Sequence, residues 1–403
     1  MPETNGGTPR RQYRAYVLAL SGVTAALAVA APTMAMPVLF SEVAEDLRLS
    51  LVQVGLIWGI ASFAGLFASL AGGMIGDRYG ARRTLTVACL LLGVTGASRA
   101  LANSAATMTA TVFLNGLVAA VVPITLHKVC AMWFRGRGLG SANAVVSGGM
   151  ALGFMIGSLI SASVLSPWLG SWRHVLLLYG GVAVLLGFPW ALSRIAPWSE
   201  DRPADAGGRQ AIRHAFSHVL RLRNVWVLGI ALLCVWGGVQ GLLGYLPLYL
   251  REVGWATAQA DACLASFHAV SLLAVFPLAL LSDRMRSRRG LLVGAALMIA
   301  GGVGLLSIVD GFAIWIAVLM AGAVRDGFMA VFMTAVTEED GVGAEYAGTA
   351  LGLAMTLGRM GALVGPPLGN GLAAYGPRVP FLLWGAMALL GLTTLQFLRR
   401  DRA

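Results

Sequence analysis

The sequence predicts an all-α integral membrane protein, with twelve transmembrane helices forming two pseudo-symmetric bundles of six and both termini on the cytoplasmic side. Three observations predict it. Apolar residues fill 58% of the 403 positions and charged residues 12%, where a soluble domain carries about 25% charged residues. Twelve apolar runs of about 20 residues are each long enough to cross a hydrocarbon core of roughly 30 Å. One acidic–basic segment recurs half a chain later. An unpaired backbone amide is costly in lipid, so a span must be a helix or part of a closed barrel. Runs of this length exceed the roughly 9–11 residues of a barrel strand.

The runs fall at about 15–40, 52–75, 84–102, 105–127, 139–165, 173–193, 224–250, 257–281, 290–309, 312–337, 346–372 and 379–398. The first reads as a span and not as a cleaved leader, because its uncharged stretch from Ala15 to Phe40 is too long and the next span follows at once. Basic residues set the orientation. Arg10, Arg11 and Arg14, then Arg78, Arg82 and Arg83, then Lys128, Arg135 and Arg137 lie on one side. So do Arg194, Arg202, Arg209, Arg213, Arg221 and Arg223, then Arg284, Arg286, Arg288 and Arg289, and finally Arg399, Arg400 and Arg402. The other side has Arg48, Arg99, Arg173, Arg251 and Arg378. The crowded side is cytoplasmic by the positive-inside rule, and the acidic Glu338, Glu339, Asp340 and Glu345 on that side weigh little in it. The expected location is therefore the cytoplasmic (inner) membrane, as a multi-pass protein. Trp133, Trp168, Trp172 and Trp255, near span ends, read as interfacial anchors.

One long polar stretch, 195–222, carries Pro197, Pro203, Gly207 and Gly208 and then a basic segment. It divides the chain into an N-terminal bundle (1–194), a cytoplasmic linker (195–222) ending in a surface helix, and a C-terminal bundle (223–403). His214 and His218 share a face of that helix. The H-A-F-S-H between them lacks the glutamate of a metalloprotease helix, so no metal site is expected.

Composition excludes several functions. The net charge is +11, yet the single lysine, Lys128, is not in a phosphate-binding loop. The cysteines Cys89, Cys130, Cys234 and Cys263 are far apart and form no C-x-x-C, so neither zinc nor a disulfide framework is indicated. The positive balance belongs to membrane topology, not to nucleic acid. No nucleophile–base pair or cofactor loop is evident, so no enzyme activity and no cofactor are expected.

The repeat pairs Gly73-Met-Ile-Gly-Asp77-Arg78-Tyr-Gly80-Ala-Arg82-Arg83 with Ser282-Asp283-Arg284-Met-Arg286-Ser-Arg288-Arg289, and its two aspartates, Asp77 and Asp283, lie 206 residues apart. Parallel six-helix repeats suggest two bundles rocking about a central site. The first copy resembles the signature loop of the major facilitator superfamily, G-x-x-x-D-[RK]-x-G-[RK]-[RK], through Gly73, Asp77, Arg78, Gly80, Arg82 and Arg83, with Ala81 shifting the basic pair. The second copy keeps Asp283 and Arg284 but lacks the glycines. The resemblance spans essentially the whole chain and implies secondary transport by alternating access. In physical terms, Gly73 permits close backbone approach, and Asp77 can accept hydrogen bonds from arginines or from a helix N-terminus. These residues are the expected gate, a latch between bundles on the cytoplasmic side. Gly149, Gly153, Gly157 and Ser161 in span five, and Gly361, Gly365 and Gly369 in span eleven, form small-residue stripes suited to close helix crossings. Span five has no glycine–proline pair of the kind found in the family's drug antiporters; Gly365-Pro366 lies in span eleven instead.

Charges within spans are costly, by about 2.5–3.5 kcal/mol each on insertion scales, and they mark function. His268 in span eight, Arg325 and Asp326 in span ten, and Arg359 in span eleven all fall about a dozen residues deep, roughly 18 Å at 1.5 Å per residue. Consecutive residues point about 100° apart on a helix, so Arg325 and Asp326 are not expected to pair face to face. Asp326 is expected to pair with Arg359. Arg325 then remains, with titratable His268, and makes the cavity positive. The expected cargo is a small organic, carboxylate-like anion held by Arg359 and Arg325, with His268, Gln240 and Asn115 as further substrate-binding residues. Asp326 would set the charge state, and Asp326 or His268 would carry a proton. The family resemblance adds that organic-anion members often carry a basic residue in the eleventh helix, where Arg359 stands. Proton symport or anion exchange by a monomer is expected, with protons or a counter-anion as the coupled species. The alternatives are a proton-coupled drug or metabolite exporter and a non-transporting receptor on the same fold.

Overall fold

The computed structural model describes residues 7–134, 137–193, 209–284 and 288–398; within these, side chains are described except at 7–11, 68–77, 137, 209–213, 276, 279–284, 288 and 344–345. No strand occurs among the described residues. The first span is α1 (Gly7–Thr24), a π-helical segment (Ala25–Ala30) and α2 (Ala31–Asp46) in one run. Then come α3 (Leu51–Tyr79), and α4 (Ala81–Ser98) with a 3₁₀ turn (Arg99–Leu101). The fourth span is α5 (Ala105–Ala119) with α6 (Val121–Trp133). The fifth is α7 (Arg137–Ile160), a π turn (Ser161–Leu165) and α8 (Ser166–Leu169), and α9 (Trp172–Leu192) is the sixth. After α10 (Arg209–Val219) follow α11 (Arg223–Glu252), α12 (Thr257–Arg284), α13 (Arg288–Leu305), α14 (Phe312–Thr337), α15 (Gly343–Leu372) and α16 (Val379–Leu395). Among the described residues, nine long apolar segments and three shorter ones (Leu51–Phe67, Arg289–Leu305 and Val379–Leu395) occupy the places that hydropathy marks.

Local chemistry sets the helix ends. Ser50 and Gln53 form a capping box at the start of α3, and Ser104 with Thr107 does the same for α5. Gly80 turns α3 into α4 at φ +76°, a conformation that a side chain would disfavour. Arg82 donates to the carbonyl of Ala191 and so satisfies an orphan acceptor at the end of α9.

Within the first set of helices α4 packs on α9, α3 on α5, and α7 along the first span. Within the second, α11 packs on α15 and α16, and α12 and α13 pack on α14. The stripes make these crossings possible. A side chain at Gly149, Gly153 or Gly157 would strike the carbonyls of Gly22, Ala26 and Ala31, and one at Gly361 or Gly365 would strike those of Leu233 and Gly237. The two sets meet through α3 with α15, α7 with α12 and α2 with α11.

At the end opposite the termini the halves are bonded together. Asn370 Nδ2 donates to Leu51 O at 2.9 Å. Arg251, at the end of α11, donates to Val38 O at 2.6 Å and to the Ser41 hydroxyl, both on α2, and pairs with buried Asp261 of α12 at 2.6 Å. Gly55 meets the backbone of Pro366 and Pro367.

One sequence expectation changes here. Trp168 stands exposed, but Trp172 is buried, with its indole N–H donating to Asp46 at 3.2 Å. It packs as a core residue rather than as an interfacial anchor. His218 is drawn onto the α14–α15 turn, its Nε2 2.8 Å from Gly341 O and its ring 4.4 Å from that of Tyr346. Residues 195–208, half of the expected linker, lie outside the described residues.

Candidate functional site

Between the halves lies a cavity of about 240 Å³, walled by the first five spans on one side and by α11 and α15 on the other. Its wall is largely apolar, with the rings of Phe40, Trp58 and Phe154 and the side chains of Val29, Met36, Ile57, Val112 and Met150. Polar groups interrupt it at Thr33, Ser62, Arg99, Asn115, Gln240 and Arg359. A few convergent polar groups in an apolar cleft are the usual composition of a small-molecule site. No carboxylate lies on this wall among the described residues.

Arg359 sits halfway along α15 and crosses to the other half, where its Nη1 donates to Ser62 O at 3.3 Å. It reaches α3 because residue 65 is glycine: a Cβ there would occupy the place of the guanidinium. The expected Asp326–Arg359 ion pair is not formed. Asp326 instead takes its own neighbour, with Arg325 Nη1 3.1 Å from Asp326 Oδ1, and its other oxygen accepts from Ser271 Oγ at 2.8 Å. The argument that consecutive residues point apart holds for Cβ directions. It fails for a side chain as long as arginine, which folds back to its neighbour when no closer partner is offered.

Gln240 and Asn115 are on the cavity wall. The Asn115 amide is held by Thr95, Nδ2 to Oγ1 at 3.1 Å. The Gln240 backbone carbonyl accepts from Trp58 Nε1 at 2.8 Å, a bond between the halves. Arg325 and His268 are not among the lining residues. The Arg325 guanidinium lies between the rings of Phe154 and Trp236, 5.6 and 5.5 Å from their centroids, an arrangement in which cation–π attraction replaces solvation. His268 is 1% exposed and packs against Phe154 and Phe267, with neither ring nitrogen hydrogen-bonded. Phe154 lines the cavity and touches both residues, so the charged cluster of α12 and α14 lies behind it.

Sequence reasoning passed over Arg99. It is counted above with the loop arginines of the sparse side, yet it falls inside the apolar run 84–102, which was the available signal. The structure buries it to 3% exposure on the 3₁₀ turn after α4, with Nε donating to Gly96 O at 3.1 Å. Asp261 is likewise buried inside a span.

Of the expected gate, Arg78 is exposed with its guanidinium 5.5 Å from the Tyr79 ring, Gly80 makes the turn, and Arg82 holds Ala191. Arg83 borders an apolar groove together with Phe67 and Tyr79. Gly73, Asp77, Asp283 and Arg284 lie within α3 and α12, and their side chains are outside the described residues.

Among known proteins, the gentisate transporter of Corynebacterium glutamicum is 24% identical over 371 residues, 89% of this chain and 82% of that one. The 3-(3-hydroxy-phenyl)propionate transporter of Escherichia coli is 25% identical over 342 residues, 83% of this chain and 81% of that one. A metabolite transport relative from Bacillus subtilis is 25% identical over 303 residues, and the match spans 66% of this chain and 63% of the relative, just under two thirds of its length. The solved structure of a bacterial homologue of the human lysosomal transporter Spinster, in an inward-facing and unoccupied conformation, superposes with a TM-score of 0.77 at 17% identity, covering 99% of this chain and all of that one. The family model described as Major Facilitator Superfamily matches residues 18–365. With twelve apolar helical segments among the described residues, in two sets about a cavity, this chain belongs to the Major Facilitator Superfamily: it is a multi-pass membrane transporter and not an enzyme.

Proposed function

We propose that the protein moves a small organic anion bearing a carboxylate across the cytoplasmic membrane by alternating access, by proton symport or anion exchange. The observation that carries this reading is the guanidinium of Arg359 on the wall of a largely apolar cavity that has no acidic residue among its described lining. A cation left bare in such a place is costly unless an anion joins it. A planar guanidinium suits a carboxylate through paired hydrogen bonds. Phe40, Trp58 and Phe154 offer apolar faces to the rest of the cargo, and the Asn115 and Gln240 amides offer hydrogen bonds. Both named relatives, with their aromatic carboxylic acids, support the same class.

In this reading residues 1–194 and 223–403 are the two rocking halves, joined by 195–222, with the arginine-rich face and the termini inside. Asp77, Arg78, Asp283 and Arg284 act at the cytoplasmic gate. Asp326, paired with Arg325 behind Phe154, is the titratable partner that couples a proton, with His268 beside it. A drug exporter would instead want a carboxylate on the cavity wall.

The test is uptake of labelled gentisate and of a labelled lipophilic cation into proteoliposomes holding the full chain. Gentisate uptake is expected to be driven by a pH gradient or by internal anion, and to fall at least about tenfold in Arg359→Gln, the loss expected for one charge-assisted contact. Transport of the cation alone would sink the anion assignment.

A further inference from the structure

We propose that Arg99 is a second substrate-binding residue, and that with Arg359 it makes the transporter selective for organic acids with two acidic groups. This rests on the anion reading above and adds to it the charge of the cargo. Arg99 comes from the span before α5, whereas Arg359 comes from α15, so the two line one cavity from opposite halves. Each makes one hydrogen bond to a backbone carbonyl, Arg99 Nε to Gly96 O and Arg359 Nη1 to Ser62 O. Neither has an ion pair among the described residues, and no hydrogen bond engages the terminal nitrogens of Arg99. The other inward charges are taken: Arg325 by Asp326 and Arg251 by Asp261.

A cavity of 240 Å³ thus holds two positive charges and no described negative one. Like charges lining one cavity repel, and in a poorly solvated cleft the repulsion is only weakly screened. A bound monoanion leaves one guanidinium uncompensated. A dianion compensates both. The two cations also have separate polar surroundings. Arg99 Nη2 and Asn115 Nδ2 converge beside Gly96, with Asn115 anchored by Thr95. Arg359 lies across α3 at Ser62 and Gly65. Two guanidinium groups with distinct neighbours form two subsites, each taking one acidic group, and the apolar wall between them takes the carbon frame. Because the subsites belong to different halves, a dianion also ties the halves together when it binds.

The test compares isophthalate and benzoate, which share a ring and differ by one carboxylate, as ligands of the purified full-length protein by calorimetry and thermal stabilisation. Wild-type protein is expected to prefer isophthalate by at least about tenfold, since a site built for a polar group rejects the analogue that lacks it. In Arg99→Gln the preference falls to about one, in Arg99→Lys it stays well above one because the charge remains, and in Arg359→Gln both ligands weaken. Equal wild-type affinity for the two acids overturns the proposal without needing any variant, and so does an unchanged preference in folded Arg99→Gln. Failure of the anion reading looks different: neither acid stabilises wild-type protein while neutral or cationic compounds do, and both proposals then fall.

Discussion

At the scale of single residues, the site depends on an absence. Arg359 reaches across to α3 because position 65 has no side chain, and Ser62 O receives the guanidinium. Gly65→Ala puts a methyl where the guanidinium lies and pushes it off that carbonyl, while leaving the total charge of the cavity intact. The expected result is a loss of carboxylate affinity of about tenfold or more, equivalent to about 1.4 kcal/mol, with folding retained. Added to Arg359→Gln, the same substitution should cost nothing further, because the group it displaces is already gone. Binding of gentisate to the four proteins decides it: additive losses would mean that Gly65 matters for packing and not for placing Arg359. The residue scale is also where the sequence was least legible. Counting along a span gives the depth of Arg325 and His268 but not the direction they face, and Phe154 of the other half stands in front of both. Conversely, Arg99 was assigned to a loop by topology although its side chain turns back into the cavity. Burial of a long, flexible side chain depends on neighbours brought by other helices, and here Asn115 of the fourth span meets Arg99 beside Gly96.

At the scale of elements, far more could be read. Hydrophobic length placed the apolar helices seen among the described residues, since crossing lipid leaves the backbone little choice but a helix. What it could not show were the π-helical turns at Ala25–Ala30 and Ser161–Leu165, which depend on local hydrogen-bond slips and not on apolar content. The glycine stripes were legible for a related reason: in lipid, close helix contact needs small residues at a four-residue spacing, and few other constraints produce that pattern. In α7 the stripe lies on the first span, and a Cβ at Gly153 would meet the carbonyl and Cα of Ala26 and the Cβ of Ala30. Backbone of a packed helix cannot yield as a side-chain tip can. Gly153→Val should therefore separate α7 from the first span at a cost of about 1–3 kcal/mol, the usual penalty of overpacking. It should lower the thermal midpoint in detergent with or without ligand. Gly148→Val, five residues earlier on a face with nothing near its Cβ, is the control and should leave the midpoint unchanged. A midpoint that moves equally in both would show that the stripe is not a contact seam.

For the whole molecule, alternating access requires that the bonds holding the halves together at one end break when that end opens. At the end opposite the termini one set of these runs from Arg251, which donates to Val38 O and the Ser41 hydroxyl across the divide and is held in place by buried Asp261 of its own half. Asp261 is fully buried, so its charge depends on Arg251 for compensation. Removing one member of a buried pair costs about 3–5 kcal/mol. Arg251→Met alone would leave Asp261 as a bare charge and confound gating with misfolding. Arg251→Met combined with Asp261→Leu removes both charges and keeps the space filled, and such replacements are commonly neutral for stability. The double variant lacks the bond between α2 and α11 and should open more often at this end. Ile57 lines the cavity, is 1% exposed, and is suitable as a reporter, while the native cysteines are buried. In an Ile57→Cys background, the double variant should react with a membrane-impermeant maleimide added to the face opposite the termini at least about tenfold faster than the parent, a population shift of about 1.4 kcal/mol. Saturating isophthalate, if it bridges the halves as proposed, should slow the reaction in both proteins. An unchanged labelling rate in a folded double variant would assign closure of this end to the α3–α15 packing at Gly55, Pro366 and Pro367 and to the Asn370–Leu51 bond alone.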